Sequence, residues 1–373
     1  MKISSFNIFD REFEKYLFKK FIKNFIYFIS ISLLIVFLVE FTELLRRTSE
    51  IASISSIFYV LYLAFLKITE SINFLIPIAI FGTTMITCRT LNKHREMVIA
   101  QNAGLSSFKI LYPFIFFTIL FCAFYFTILN PFLSHATNSY QKIEQEIFRG
   151  KLSKTAISKS GIWLRQGSEN NKIVIKAANF LPEESLFKNA TFYIYTKKNN
   201  FVERIDAEIA KLEKNFWIMK NVIINKPNKR VIKIDEYTLK TNLSIKKIEN
   251  SFLDPQSLSI WKIPNFILLL KESGFSATKH QVYLYKTILL PVYLIGLILI
   301  AGSFTIKFTK TKAKTFILIL MGVVTGFLIH VVGETIYSLG LANKLNTWVA
   351  SLSPSIITIM IGGFFVIHFE KTN

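Results

Sequence analysis

Long uncharged apolar runs alternate with short basic segments along most of the chain, and the pattern breaks once, in the middle. Six runs contain no Asp, Glu, Lys or Arg: Asn24–Val39, Ser71–Cys88, Ile110–Gln141, Thr287–Ile306, Thr315–Gly333 and Leu345–Phe369. A bilayer core of about 30 Å takes about 20 helical residues, so each run, with its flanks, is long enough to cross. A seventh run, Ile51–Leu66, is marginal alone and reads either as an interfacial lead into the second span or as part of one long tilted helix. Between about Ser134 and Pro264 the runs shorten to Gly161–Arg165, Ile173–Ala177, Thr191–Thr196, Phe216–Ile224, Val231–Ile234 and Tyr237–Thr241. These are rich in Ile, Val, Phe, Tyr and Trp and predict the strands of a β-sandwich or jelly roll. The predicted fold is a polytopic α-helical membrane protein, six transmembrane helices in a 3+3 arrangement around an inserted periplasmic all-β domain. Residues 1–133 hold spans one to three, 134–262 the β domain, and 263–373 a connecting helix and spans four to six.

Charge sets the orientation. Residues 1–23 hold six Lys/Arg, residues 89–109 hold four, and Lys307, Lys310, Lys312 and Lys314 cluster without an acid. The opposite short loops offer only Arg46, Arg47 and Lys344. Retained loops carry the Lys/Arg excess, so both termini are expected in the cytoplasm and the β domain outside. The first run begins like a signal peptide, but no small-x-small cleavage site follows it, so it is read as an anchor. Cys88 and Cys122 lie in or beside spans, leaving no disulfide scaffold for the outer domain. Net charge is +21, and residues 142–262 alone carry 23 Lys/Arg against 13 Asp/Glu. Such a surface suits an anionic partner such as a phosphorylated lipid; nucleic acid is not expected outside the cell.

Several places carry candidate chemistry. The first 20 residues form a basic amphipathic helix at the interface or simply the basic start of span one. Glu40, Glu43, Arg46 and Arg47 decorate the outer end of span one, with 40, 43 and 47 on one helical face. Guanidinium groups there either anchor the span at the interface or pair with lipid phosphate, Glu40 and Glu43 balancing them meanwhile. His330 and Glu334, four apart in span five, either sit solvated at the outer interface or line a substrate cavity beside Arg46. Arg89–Gly104 predicts a short cytoplasmic helix closed by a C′ glycine, with Leu91, Val98 and Leu105 recurring seven apart as a docking flank. Pro131 marks the exit of span three, and Pro264 and Gly274 bracket a helix over Asn265–Ser273.

No Walker-type loop, HExxH, CxxC or GxSxG occurs, so the chain is not expected to carry out catalysis by its own residues. It is expected to bind no metal or cofactor, with any ATP held by a separate subunit.

The string Leu91-Asn-Lys-His-Arg-Glu96-Met-Val-Ile-Ala-Gln-Asn-Ala-Gly104 resembles the coupling-helix pattern of the LptF/LptG permeases, which export lipopolysaccharide. Gly161-Ile-Trp163 is similar to the opening of that family's periplasmic domain. Asp254-Pro-Gln-Ser-Leu-Ser259, Lys271-Glu-Ser-Gly274 and His280-Gln-Val-Tyr283 look like its LptG branch, and the likeness covers essentially the whole chain. It implies a bacterial inner-membrane permease that extracts lipopolysaccharide. The implied partners are an LptB-type ATPase dimer, a second permease (LptF, or LptG) and a periplasmic LptA/LptC-type β-jellyroll protein. It also implies that Glu96, with Arg95, Leu91, Val98 and Gly104, couples to the ATPase, and that Arg46, Arg47, Glu40, Glu43, His330 and Glu334 face substrate. The chain departs from the pattern at Glu40, where the LptG branch has a basic position. A membrane-anchored sensor or structural protein with a ligand-binding periplasmic domain is the alternative, and it would need no ATPase.

Overall fold

The computed structural model describes residues 2–49, 56–147, 162–167, 171–181, 185–196, 200–213, 216–227, 230–241, 253–272, 275–306 and 312–371. The chain divides into a helical unit, Met1–Thr137 with Gln281–Asn373, and a second unit, Asn138–His280, which holds the sheet.

In the helical unit, α1 runs unbroken over Lys2–Thr48, so the basic N-terminal segment and span one are a single helix. Helix α2 (Ile57–Lys93) is likewise one long helix, with Pro77 inside it; the run after residue 56 belongs to the second span rather than to a separate interfacial piece. After the short α3 (Glu96–Asn102), α4 (Ser107–Phe124) passes through a π segment, Tyr125–Leu129, into α5 (Asn130–Ile147). Pro131 therefore does not end the third span. The Asn130 N–H bonds the Tyr125 carbonyl five residues back. That widened turn lets a residue without an N–H follow while the helix continues.

Beyond the sheet come α6 (Ile263–Glu272), α7 (Thr278–Ile288), α8 (Leu290–Ile306), α9 (Lys312–Leu341) and α10 (Thr347–Lys371). Pro264 is the second residue of α6, a position that needs no N–H; Gly274 lies outside the described residues. Five helices are each long and apolar enough to cross a membrane, and α7 with α8, bent by 51°, makes a sixth if counted as one span. The chain is a polytopic helical membrane protein with an inserted β domain.

Helix α8 is apolar all round, and its residues from Tyr293 to Ile306 are almost all buried, as such a helix must be when neighbours surround it. It packs against α2, α4, α9 and α10. Its hydroxyls turn inward on their own backbone, Thr305 Oγ1 donating to the Ala301 carbonyl at 2.6 Å. Helix α1 touches α2 and α4, and its N-terminal half is held by rings. Phe21 stacks on Phe114 at 4.5 Å, and Phe21 and Phe25 meet Phe117 edge-on at 5.3 and 5.2 Å. Farther along, Ile31, Leu34, Ile35, Leu38 and Val39 are exposed, as is the face of α9 carrying Phe316, Leu320, Phe327 and Leu328. Lipid solvates such faces without cost.

The sheet comprises β1 (Ile162–Gly167), β2 (Asn171–Leu181), β3 (Leu186–Thr196), β4 (Phe201–Glu213), β5 (Phe216–Asn225) and β6 (Ile232–Lys240), antiparallel and in sequence order. One strand, β6, replaces the two segments expected there. Alternate residues of β2 to β5 face a single core in which Trp217 lies edge-on to Phe187 at 5.0 Å and to Phe192 at 5.4 Å. The sheet curls: Gln166 on β1 donates to the Lys240 carbonyl at 3.1 Å and accepts from Thr241 Oγ1 at 2.7 Å, linking the two outermost strands. Asn189 and Asn221, both at φ 50, interrupt the ladder and sharpen the local twist, a backbone state that Asn tolerates better than most residues.

Candidate functional site

The elbow between α2 and α3 is built from the string that carries the family likeness. Helix α2 ends at Lys93, and Arg95 turns the chain in the left-handed region at φ 58. Asn92 donates through Nδ2 to the carbonyls of Thr305 and Ile306, the last two residues of α8. Gly104, at φ 89, closes α3: its N–H bonds the Gln101 carbonyl at 2.9 Å, and the Leu105 N–H reaches back to Ala100 at 3.1 Å. This is the expected C′ glycine in a Schellman arrangement. The helix, however, is shorter than the expected Arg89–Ala103.

Burial corrects the docking flank. Leu91, at 0% exposure, and Leu105, at 6%, lie in this chain's own core together with Met97 and Ala100, and Val98 is half-buried. A stripe repeating every seven residues marks one face of one helix only while the helix is continuous, and the turn at Arg95 breaks the phase. The outward face of α3 is instead Arg95, Ile99 and Asn102, with Ile99 62% exposed.

Glu96 is engaged within the chain. Lys20 Nζ of α1 donates to both carboxylate oxygens at 3.2 Å, Tyr16 Oη donates to Oε1 at 3.1 Å, and Lys20 also donates to Tyr16 Oη at 2.7 Å. Neither Tyr16 nor Lys20 was singled out by its own pattern. A carboxylate and an ammonium on segments 76 residues apart reveal nothing until the fold joins them.

At the C-terminal end of α1 the four candidate groups divide. Glu43 takes Arg46 in a fork, Nε to Oε2 at 3.1 Å and Nη2 to Oε1 at 2.9 Å, on an exposed surface. Glu40 turns away to α2, where Lys67 pairs with it at 2.6 Å and Ser71 Oγ donates at 3.5 Å. Lys67, the first charge after the run Ile51–Leu66, is the partner of the residue at which the chain departs from the family pattern. Arg47 is half-buried on the same turn.

His330 meets partners on α2 and α8, and Glu334 meets one on α7. The His330 ring lies against Phe74 at 5.1 Å with Nδ1 3.2 Å from Tyr293 Oη, while Glu334 accepts from Lys286 at 2.6 Å. Lys286 Nζ also sits 4.3 Å from the centre of the Tyr337 ring. His330 closes one end of an apolar cavity of about 220 Å³ whose walls include Phe74, Pro77, Phe81, Leu297 and Phe327. The arrangement offers an apolar chain a cleft between α2, α8 and α9, with an ion pair one helical turn above His330. Among the described residues no group of His, Cys, Asp and Glu is arranged to hold a metal ion.

Comparison with known proteins agrees with the fold. Residues 15–368 match the family model described as lipopolysaccharide export system permease LptF/LptG. The chain is similar to the lipopolysaccharide export system permease protein LptG of Haemophilus influenzae, 23% identical over 316 residues, covering 79% of this chain and 82% of that protein. It is equally similar to LptG of Escherichia coli K12, 23% identical over 303 residues covering 78% and 80%. These relatives support the lean towards the LptG branch. With the match running across all six apolar runs and the sheet between them, the chain belongs to the LptF/LptG family of lipopolysaccharide export system permeases.

Proposed function

We propose that this chain is the LptG-type subunit of an inner-membrane exporter, both termini in the cytoplasm. In this reading it pairs with a second permease, draws lipopolysaccharide from the bilayer and hands it to an LptA/LptC-type periplasmic β-jellyroll bridge. The β domain would lie outside and pass substrate along by strand addition. ATP is hydrolysed on a separate LptB-type dimer that grips α3. The observation that carries the reading is the presentation of α3. This seven-residue helix is seated by Met97 and Ala100 on the core and tied through the elbow to α8, and it leaves Ile99 outward between Arg95 and Asn102. An apolar residue 62% exposed on a short helix outside the spans is suited to a protein groove.

The test is copurification. Wild type should bring down an ATPase in detergent, and Ile99→Asp should cut its yield at least about tenfold, as losing one buried anchor of about 2 kcal/mol implies. Unchanged yield in Ile99→Asp would defeat the docking reading. A wild-type chain that purifies without any ATPase would favour the sensor alternative.

A further inference from the structure

We infer that Lys20 is a positioning residue for transport: through its ion pair with Glu96 it fastens α1 to α3, so that span one moves with the helix the ATPase grips. The inference rests on the docking reading above and adds the link by which force leaves α3.

The three groups Lys20, Glu96 and Tyr16 form a closed set. An ammonium has three donors, and Lys20 directs them at Glu96 Oε1, Glu96 Oε2 and Tyr16 Oη. Tyr16 Oη in turn donates to Glu96, so the carboxylate already accepts three hydrogen bonds of the roughly four it has sites for. Glu96 is thereby turned towards its own chain, and the free face of α3 lies elsewhere, at Arg95, Ile99 and Asn102. The side chains of Lys20 and Glu96 are 17% and 27% exposed, which shields the pair from much of the screening that makes surface ion pairs weak.

What the pair joins gives it consequence. Helix α1 has no break between Lys20 and Arg46, so a displacement at Lys20 tilts the whole span. Beside Lys20 the helix is seated by Phe21 and Phe25 against α4, and farther along Glu40 pairs with Lys67 of α2 at 2.6 Å, so α1 reports its position to both neighbours. A displacement of α3 passed through Lys20 is thus carried along one continuous helix towards the end bearing Glu43 and Arg46.

The experiment uses the full complex with its ATPase in proteoliposomes loaded with lipopolysaccharide, and it reads copurified ATPase, ATP hydrolysis and lipopolysaccharide released per ATP. Lys20→Glu should lower release per ATP about tenfold, the factor that about 1.4 kcal/mol represents, while ATPase copurifies. The exchange Lys20→Glu with Glu96→Lys should recover most of the loss, and Lys20→Arg should stay near wild type. Tyr16→Phe, which removes one hydroxyl and leaves the ring, should cost about threefold and covers the case in which the charge variants do not fold. Normal release per ATP in Lys20→Glu and Tyr16→Phe, or an exchange no better than the worse single variant, would overturn the proposal. Failure of the docking reading looks different, because there Ile99→Asp keeps its ATPase.

Discussion

Two adjacent glycines in α10 should respond oppositely to the same substitution. A methyl at Gly362 would stand 2.7 Å from Leu299 Cβ and 2.8 Å from the Gly296 carbonyl oxygen, both on α8. Neither obstacle is the loose end of a side chain, so Gly362→Ala must push α10 off the helix at the centre of the unit. A methyl at Gly363 meets nothing within 4 Å. Overpacking of this kind costs about 1–3 kcal/mol, whereas replacing a mid-helix glycine by alanine contributes about 0.8–1 kcal/mol of propensity at either position. The propensity gain cancels between the two variants, so their difference isolates the close approach of α8 and α10 at about 1–3 kcal/mol. Thermal unfolding of the detergent-purified protein, followed by tryptophan fluorescence, should place Gly362→Ala below Gly363→Ala by about 1–4 °C. Equal midpoints would mean that α8 and α10 do not meet at these glycines, and the helix packing described here would be wrong at its centre.

Three further outcomes are expected. Lys67→Met strands Glu40, whose side chain is only 20% exposed, and should destabilise the protein by about 1–3 kcal/mol in the same assay; adding Glu40→Gln should restore most of that, and no restoration would show that the pair is not the cause. Trp217→Ala should cost about 3–5 kcal/mol and bring early protease cleavage within the sheet, whereas Trp217→Phe should be milder because the indole nitrogen has no hydrogen-bond partner to lose. Replacing Arg46 and Arg47 together by Gln should weaken lipopolysaccharide-stimulated ATP hydrolysis without loss of assembly, and normal stimulation would favour interfacial anchoring for these two residues.

The spans were legible because a bilayer demands long uncharged runs, and each of the six runs coincides over most of its length with a membrane-length helix or the bent pair. Strand β4 was not. Phe201–Glu213 carries Glu203, Arg204, Asp206, Glu208, Lys211 and Glu213, and charge at that density hides a strand whose inward residues are Ile205, Ala207, Ala210 and Leu212. Those charges are matched across and along the sheet, as when Arg204 forks onto Asp206 at 2.9 and 3.0 Å, which holds the guanidinium pKa above its ordinary value. The turn at Arg95 was hidden for a related reason: nothing but its conformation marks it, and a seven-residue apolar repeat reads straight through it. Gly104 was read correctly because a glycine after a helical run has one common use.

The candidate headgroup residues show why charge patterns within one helix mislead in a membrane protein. Glu40, Glu43 and Arg47 share a face of α1, and from sequence they look like a self-balancing set. In water that reading would be serviceable, since exposed charges need no fixed partner. At the end of a span every charge that is withdrawn from water must find a counter-ion, on whichever helix supplies one. Glu40 finds Lys67 on α2 and Glu334 finds Lys286 on α7, while Glu43 pairs on its own helix with Arg46, whose side chain is 70% exposed. The two inter-helix pairs thus hold the C-terminal parts of α1 and α9 to their neighbours. Of the three cations Arg46 is the one most open to water, at 70% against 37% for Lys286 and 16% for Lys67, which is why the double substitution of Arg46 and Arg47 is the test of phosphate pairing at this end of α1.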